Sequence, residues 1–434
     1  MDRAKDVLTR FGLDRPEIRA WAMYDWANSA FFTTVITAIF PVYFTSVAAA
    51  DLPPGEATRL LARTTTIALT TSAILAPLVG AIADHAPIKK RLLGLFTAIG
   101  CIAAGCLVMV HRNDWLLAAV LFGIGNVGVT TSLTLYDSLL PHIAREDEID
   151  RISTAGFGLG YLGGGLLLAL NVAWILSPST FGLRDAGQAS RLSFLSVALW
   201  WALFSIPLFR RVPEPKVGIA SGARSAVELI RASFVGLLHT IRDLRRYRHA
   251  FLLLVAFVIY SDGIGTIIRM ATSYGTELGL EQGALITAIL LVQFAGIPFA
   301  FLFGLLAGRI GAKTSIFIAL GMYTLISVMG YHMETERDFY ILALMVASVQ
   351  GGSQALSRSL FASMIPRERS SEFFGFFSIF EKFGAIAGPA TFEIASRATG
   401  SSRSAILSVM VFFVAGAAVL SFVNVDAGRE AARH

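Results

Sequence analysis

Asp25, Asp137, Asp262, Arg269, Arg358, Glu381, Lys382 and Glu393 lie inside long apolar runs, among residues that belong in hydrocarbon. A charge at the centre of a bilayer costs about 2.5 to 3.5 kcal/mol on insertion scales, so ionisable groups kept there are candidates for a solute or proton pathway. Helical spacing gathers them with polar neighbours, because residues three, four or seven apart share a face. Asp25 and Asn28 share one, as do Asn126, Thr130 and Asp137; Asp262, Thr266 and Arg269; and Gln350, Gln354, Ser357 and Arg358. An arginine offers a forked donor to a carboxylate, and an aspartate balances an ammonium or a travelling proton. The set therefore suits a small zwitterion. Asp262 and Arg269 stand about 10.5 Å apart along their helix, too far for an easy direct bond. Amides and hydroxyls such as Asn28 and Gln354 also serve as packing glue between membrane helices, and that reading stands beside solute contact. Arg358 and Glu381 admit a structural ion pair as well, since each lies about 12 Å from the same membrane face.

Holding these residues in place takes membrane helices. Of 434 residues, 55% are hydrophobic and 15% charged, where an ordinary soluble domain carries about 25% charged residues. Twelve apolar runs fall at 21–49, 64–83, 92–110, 115–140, 152–176, 192–209, 250–274, 284–306, 314–331, 339–365, 373–396 and 404–424. Each approaches or exceeds the roughly 20 residues that a crossing helix needs. They lack the alternation of a barrel strand, so the expected fold is an all-α polytopic membrane protein with twelve transmembrane helices. The charged residues of the first paragraph fall on spans one, four, seven, ten and eleven, and spans three, six, nine and twelve carry none.

Lysine and arginine are unevenly shared between the two sides. The termini and even-numbered loops hold 25 of them and the odd-numbered loops 8. By the positive-inside rule this places both termini in the cytoplasm, in a multi-pass protein of the cell inner membrane. The net charge of +6 is then an orientation signal rather than a nucleic-acid footprint. Residues 1–20 are studded with charges and are followed by no small-residue cleavage site, so the first span is expected to be retained.

The chain divides into a six-helix half at 1–209, a cytoplasmic linker at 210–249 and a second half at 250–434. Within the linker, Val227, Ile230, Phe234, Leu237, Leu238 and Ile241 have the spacing of an amphipathic helix lying on the membrane surface. The halves repeat weakly. Gly80, Asp84, Lys89, Lys90 and Arg91 after span two are answered by Gly304, Arg309, Gly311 and Lys313 after span eight. Paired six-helix repeats are the plan of transporters that bind solute at the bilayer midplane.

The loop after span two resembles the signature of the major facilitator superfamily, with His85 and Pro87 in place of the usual arginine and glycine, and Gly308 in place of the acid in the second copy. Four further strings span nearly the whole chain. They run from Trp21 through Tyr24, Asp25, Trp26 and Asn28 to Phe31, from Gly160 to Gly165, from Tyr260 through Asp262 to Arg269, and from Gly351 through Gln354 to Arg358. Together they resemble the vacuole-effluxer-like branch, whose fungal members are linked to amino-acid export from the vacuole during autophagy. The resemblance implies the major facilitator fold, spans one, four, seven and ten around a central cavity, and efflux of amino acids by alternating access. Drugs, sugar fragments or lysolipids remain the alternative cargo, and a non-transporting scaffold the alternative role.

Other chemistry finds little support. The seven histidines fall in loops, at span ends or at the terminus, without metal-ligand spacing, and no P-loop occurs. Cys101 and Cys106 share one apolar run and read as small core residues. No cofactor or metal is expected. The expected partners are a small-molecule substrate, a coupling proton and the lipid bilayer, with the protein acting as a monomer. Gly156, Gly160, Gly163 and Gly164 on span five read as a close-packing stripe.

Overall fold

The computed structural model describes residues 8–9, 11–52, 56–215, 246–277, 282–384, 391–392, 394–395, 398–399 and 402–433. Long apolar stretches without alternation can satisfy their backbone groups in lipid only by coiling, and eleven helices among the described residues are long and apolar enough to cross a membrane. The first half contributes α1 (Pro16–Ala48), α2 (Glu56–His85), α3 (Lys89–Cys106), α4 (Trp115–Asp137), α5 (Ile149–Leu176) and α6 (Ala186–Arg211). The second contributes α7 (Arg248–Glu277), α8 (Gln282–Ile310), α9 (Ala312–Tyr331), α10 (Glu336–Ser363), α11 (Ser370–Gly384) and α12 (Arg403–Ser421), closed by the short α13 (Val425–Arg433). Of these, α11 is not among the eleven: it is the start of the expected span at 373–396, and most of the remainder lies outside the described residues. So does the expected amphipathic helix of the linker, because residues 216–245 are not described.

Helix ends follow local chemistry. Pro16 sits in the first turn of α1, where its missing N–H is no loss. At the start of α10, Thr335 and Asp338 form a reciprocal capping box. Observed helices outrun the apolar runs: α2 begins at Glu56, not 64, and includes Arg59 and Arg63. Hydropathy marks the hydrocarbon slab, whereas hydrogen bonding carries a helix on into water.

Large exposed apolar side chains line α3 (Leu95, Ile102), α6 (Leu199, Leu203), α9 (Ile318, Leu325) and α12 (Val411, Val414), as expected of helices whose outer surface meets lipid. Two of the crossings between the halves bring helices especially close. At α2 against α11, a Cβ on Gly80 would stand 2.3 Å from the Ser371 carbonyl oxygen, and one on Gly375 2.5 Å from Pro77 Cα. At α8 against α5, a Cβ on Gly304 would stand 2.1 Å from Thr154 Oγ1. The two repeat-related glycines thus do one job, letting a helix of each half cross a helix of the other at backbone distance.

Candidate functional site

A cavity of about 490 Å³ lies between the halves. Its lining comes from α1, α4, α5, α7, α8, α10 and α11 and includes Asp25, Asn28, Asp137, Asp262, Gln354 and Arg358. No lining residue belongs to α3, α6, α9 or α12. Part of each polar stripe reaches this space, while Asn126, Thr266 and Ser357 are buried and do not line it.

Arg358 occupies the end of this cavity nearest the face that carries the chain termini. It projects from α10 into the other half and is only 5% exposed. Its Nη1 donates to Asp25 Oδ2 at 3.3 Å and to Asp137 Oδ1 at 3.0 Å, and its Nη2 donates to Asp25 Oδ2 at 3.2 Å. Ser153 takes the rest: Nε donates to its hydroxyl at 2.9 Å and Nη2 to its carbonyl at 2.9 Å. These five bonds match the five N–H donors of a guanidinium. Aromatic faces complete the enclosure, with the guanidinium carbon 5.0 Å from the Trp21 ring centre and 4.5 Å from that of Phe157. Tyr136 donates its hydroxyl to Asp25 at 2.9 Å and stacks on Trp21.

The cluster sets two carboxylates against one guanidinium. Neutralising one carboxylate still leaves the arginine paired, whereas losing the arginine strands two acids without their counter-charge. All three charged groups come from different helices, and the arginine alone comes from the second half, so the cluster also ties the halves together.

A second polar layer closes the same face. Asp84 accepts the backbone N–H groups of Ser371 at 3.2 Å and Glu372 at 2.8 Å, capping α11 of the opposite half, and pairs with Lys89 at 3.1 Å. Lys89 also reaches the Ser370 hydroxyl at 3.1 Å, and Ser370 donates to the Ser138 carbonyl at 2.9 Å. Lys90 has a different task, donating to the carbonyls of Phe209 (3.0 Å) and Val212 (2.6 Å) at the end of α6. Lys313 does the same for α12 through Ser421 (3.0 Å) and Val423 (2.7 Å). Arg91 and Arg309 are exposed. Outside the spans, Arg433 of α13 bonds Glu146 of the first half and holds that carboxyl below its usual range.

Two expected site residues, Arg269 and Glu381, lie on described helical backbone, but their side chains fall outside the described residues. The ion pairs found for Arg358 run to Asp25 and Asp137, on the first half. Asn28 donates to Tyr24 O at 2.7 Å within its own helix and lines the cavity. Asp262 is 3% exposed and lines the cavity on the α7 side. Trp21, Tyr136, Ser153 and Phe157 were not among the expected site residues. Trp21 and Tyr136 flank the two aspartates in sequence, but Ser153 and Phe157 carry no signal beyond lying near the start of an apolar span. The glycines of α5 are a packing stripe: a Cβ on Gly163 would stand 2.5 Å from Trp26 O.

Two six-helix halves clasped around a polar central cavity, with matched crossings and a charged layer at one face, define a multi-pass transporter of the major facilitator type. The structure is similar to a proton:xylose symporter, XylE, with TM-score 0.72 at 14% identity over 94% of this chain and 95% of that one. It is also similar to the transporter FucP in its outward conformation, with TM-score 0.70 at 13% identity over 94% of this chain and 100% of that one. In sequence, the chain is 36% identical over 406 residues to the MFS-type transporter YxiO of Bacillus subtilis, covering 93% of this chain and 94% of the relative. It is 25% identical to autophagy-related protein 22 of Pyricularia oryzae over 84% of this chain, spanning 65% of the fungal protein's length. The family model described as vacuole effluxer Atg22-like matches residues 56–433. The chain belongs to that family.

Proposed function

We propose that this protein exports small zwitterionic solutes, amino acids foremost, across the cytoplasmic membrane in exchange for protons. The observation that carries the reading is Arg358 of the second half bound to Asp25 and Asp137 of the first at the closed end of the cavity. With the termini in the cytoplasm, as the 25 to 8 charge bias expects, the closed face is cytoplasmic, and in this reading the cavity opens to the outside.

A proton entering from outside neutralises one carboxylate of the pair and weakens the bridge. The halves then rock about the α2/α11 and α5/α8 crossings and open the cytoplasmic face. Arg358, released from part of its carboxylate shell, is free to receive the carboxylate of a solute from the cytoplasm. Asp262 and the amides of Asn28 and Gln354 face the ammonium and polar groups. Solute arrival displaces the proton, and the outward return re-forms the bridge. Arg269 belongs to the same pathway by its position on the Asp262 face.

The test is flux in proteoliposomes. Labelled amino acids, offered singly from a panel, are predicted to move against their gradient when a proton gradient is imposed, and Arg358→Ala is predicted to abolish that movement. Transport of sugars or organic anions alone would replace the cargo. Solute flux indifferent to the proton gradient would remove the coupling.

A further inference from the structure

A second cavity, of about 260 Å³, lies at the terminus-bearing face, apart from the central one. It is walled by both halves: Arg145 and Glu146 come from the loop between α4 and α5, Arg367 and Glu368 from the turn after α10, and Arg429 and Arg433 from α13. Four guanidinium groups meet two carboxylates there. Arg433 uses Glu146. Arg429 has a long contact to the Ser363 hydroxyl at 3.4 Å. Among the described residues, Arg145 and Arg367 have no carboxylate within ion-pair reach, and both are exposed at the mouth. A concave site with excess guanidinium charge from three separate segments matches the oxygen-rich, multiply accepting surface of a phosphate group.

We propose that this cavity binds a phosphate-bearing anion that bridges the two halves and holds this face closed. The shared chemistry is the phosphate group, supplied by a free phosphate or by an anionic lipid headgroup. An occupant can touch the Arg145 and Arg367 walls together only while the halves are closed on this side, so binding favours that conformation. The site stands independently of what the central cavity carries.

The experiment uses the full chain in phosphatidylcholine nanodiscs at constant ionic strength set with chloride, reading the unfolding midpoint. One arm titrates inorganic phosphate. The other replaces part of the lipid with phosphatidylglycerol, without phosphate. A rise in the first arm identifies a soluble anion as sufficient, and a rise confined to the second identifies the headgroup; either supports the site. The double variant Arg145→Gln/Arg367→Gln is expected to weaken the responding arm about tenfold or more, as loss of charge-assisted bonds predicts. The control Arg210→Gln/Arg211→Gln, which removes two exposed arginines elsewhere on the chain, is expected to leave the response intact. No rise in either arm, or an equal loss in the control, overturns the proposal.

Discussion

Asp25 and Asp137 share one arginine but are not equivalent. Asp25 takes two of the guanidinium bonds and the Tyr136 hydroxyl, and is 7% exposed, whereas Asp137, at the end of α4, takes one of the guanidinium bonds. Asp25→Asn should therefore abolish transport and lower stability by about 1.5 to 3 kcal/mol, the scale of hydrogen bonds lost from a charged group, since Arg358 keeps only its Asp137 pairing. Asp137→Asn leaves a one-to-one pair. It should retain solute exchange but lose the response to a proton gradient, and comparing exchange with gradient-driven flux in the same vesicles checks both. Equal behaviour of the two variants would mean that the acids are interchangeable structural partners. The charged residues of this cluster were legible in the sequence because hydrocarbon makes each one costly. Their pairing was not. Equal depth on neighbouring spans offered Glu381 as one partner for Arg358, and its side chain lies outside the described residues; the bonds found run 333 and 221 positions back along the chain, and helical periodicity says nothing about which helices meet.

Three successive basic residues at the start of α3 meet three fates: Lys89 is buried against Asp84, Lys90 caps α6, and Arg91 is exposed. Neighbours on a helix point about 100° apart, which a motif read as one cluster conceals. The helix crossings test the element scale. A side chain on Gly80 meets the backbone of Ser371, which cannot rotate aside as a side chain can. Gly80→Val should leave membrane insertion intact but hold the α2/α11 crossing apart and stop transport. A cysteine at the buried Ser138 should then react with thiol reagents at least about tenfold faster than in the parent, in a background with Cys106→Ala. Unchanged reactivity would show that the crossing tolerates separation without opening the face. The repeat was visible as an offset, and Gly80 and Gly304 as its markers. That both serve contact between halves needed the partner helix, which no local pattern names.

Seen whole, the chain is two bundles tied deep in their shared cavity by the Arg358 cluster. Composition made the helices and their approximate count legible, because lipid leaves the backbone no other choice. Burial of the charges, the closed face and the second cavity are properties of assembly. In the proposed cycle the Arg358 bridge locks the terminus-bearing face and protons release it. Spin labels on cysteines replacing Arg91, at the start of α3 in one half, and Arg309, at the end of α8 in the other, measure that directly, since both positions are exposed. The prediction is one short distance at high pH, a longer population appearing as the pH is lowered, and the longer population throughout in Arg358→Gln. A single unchanged distance across pH, retained in Arg358→Gln, would contradict it.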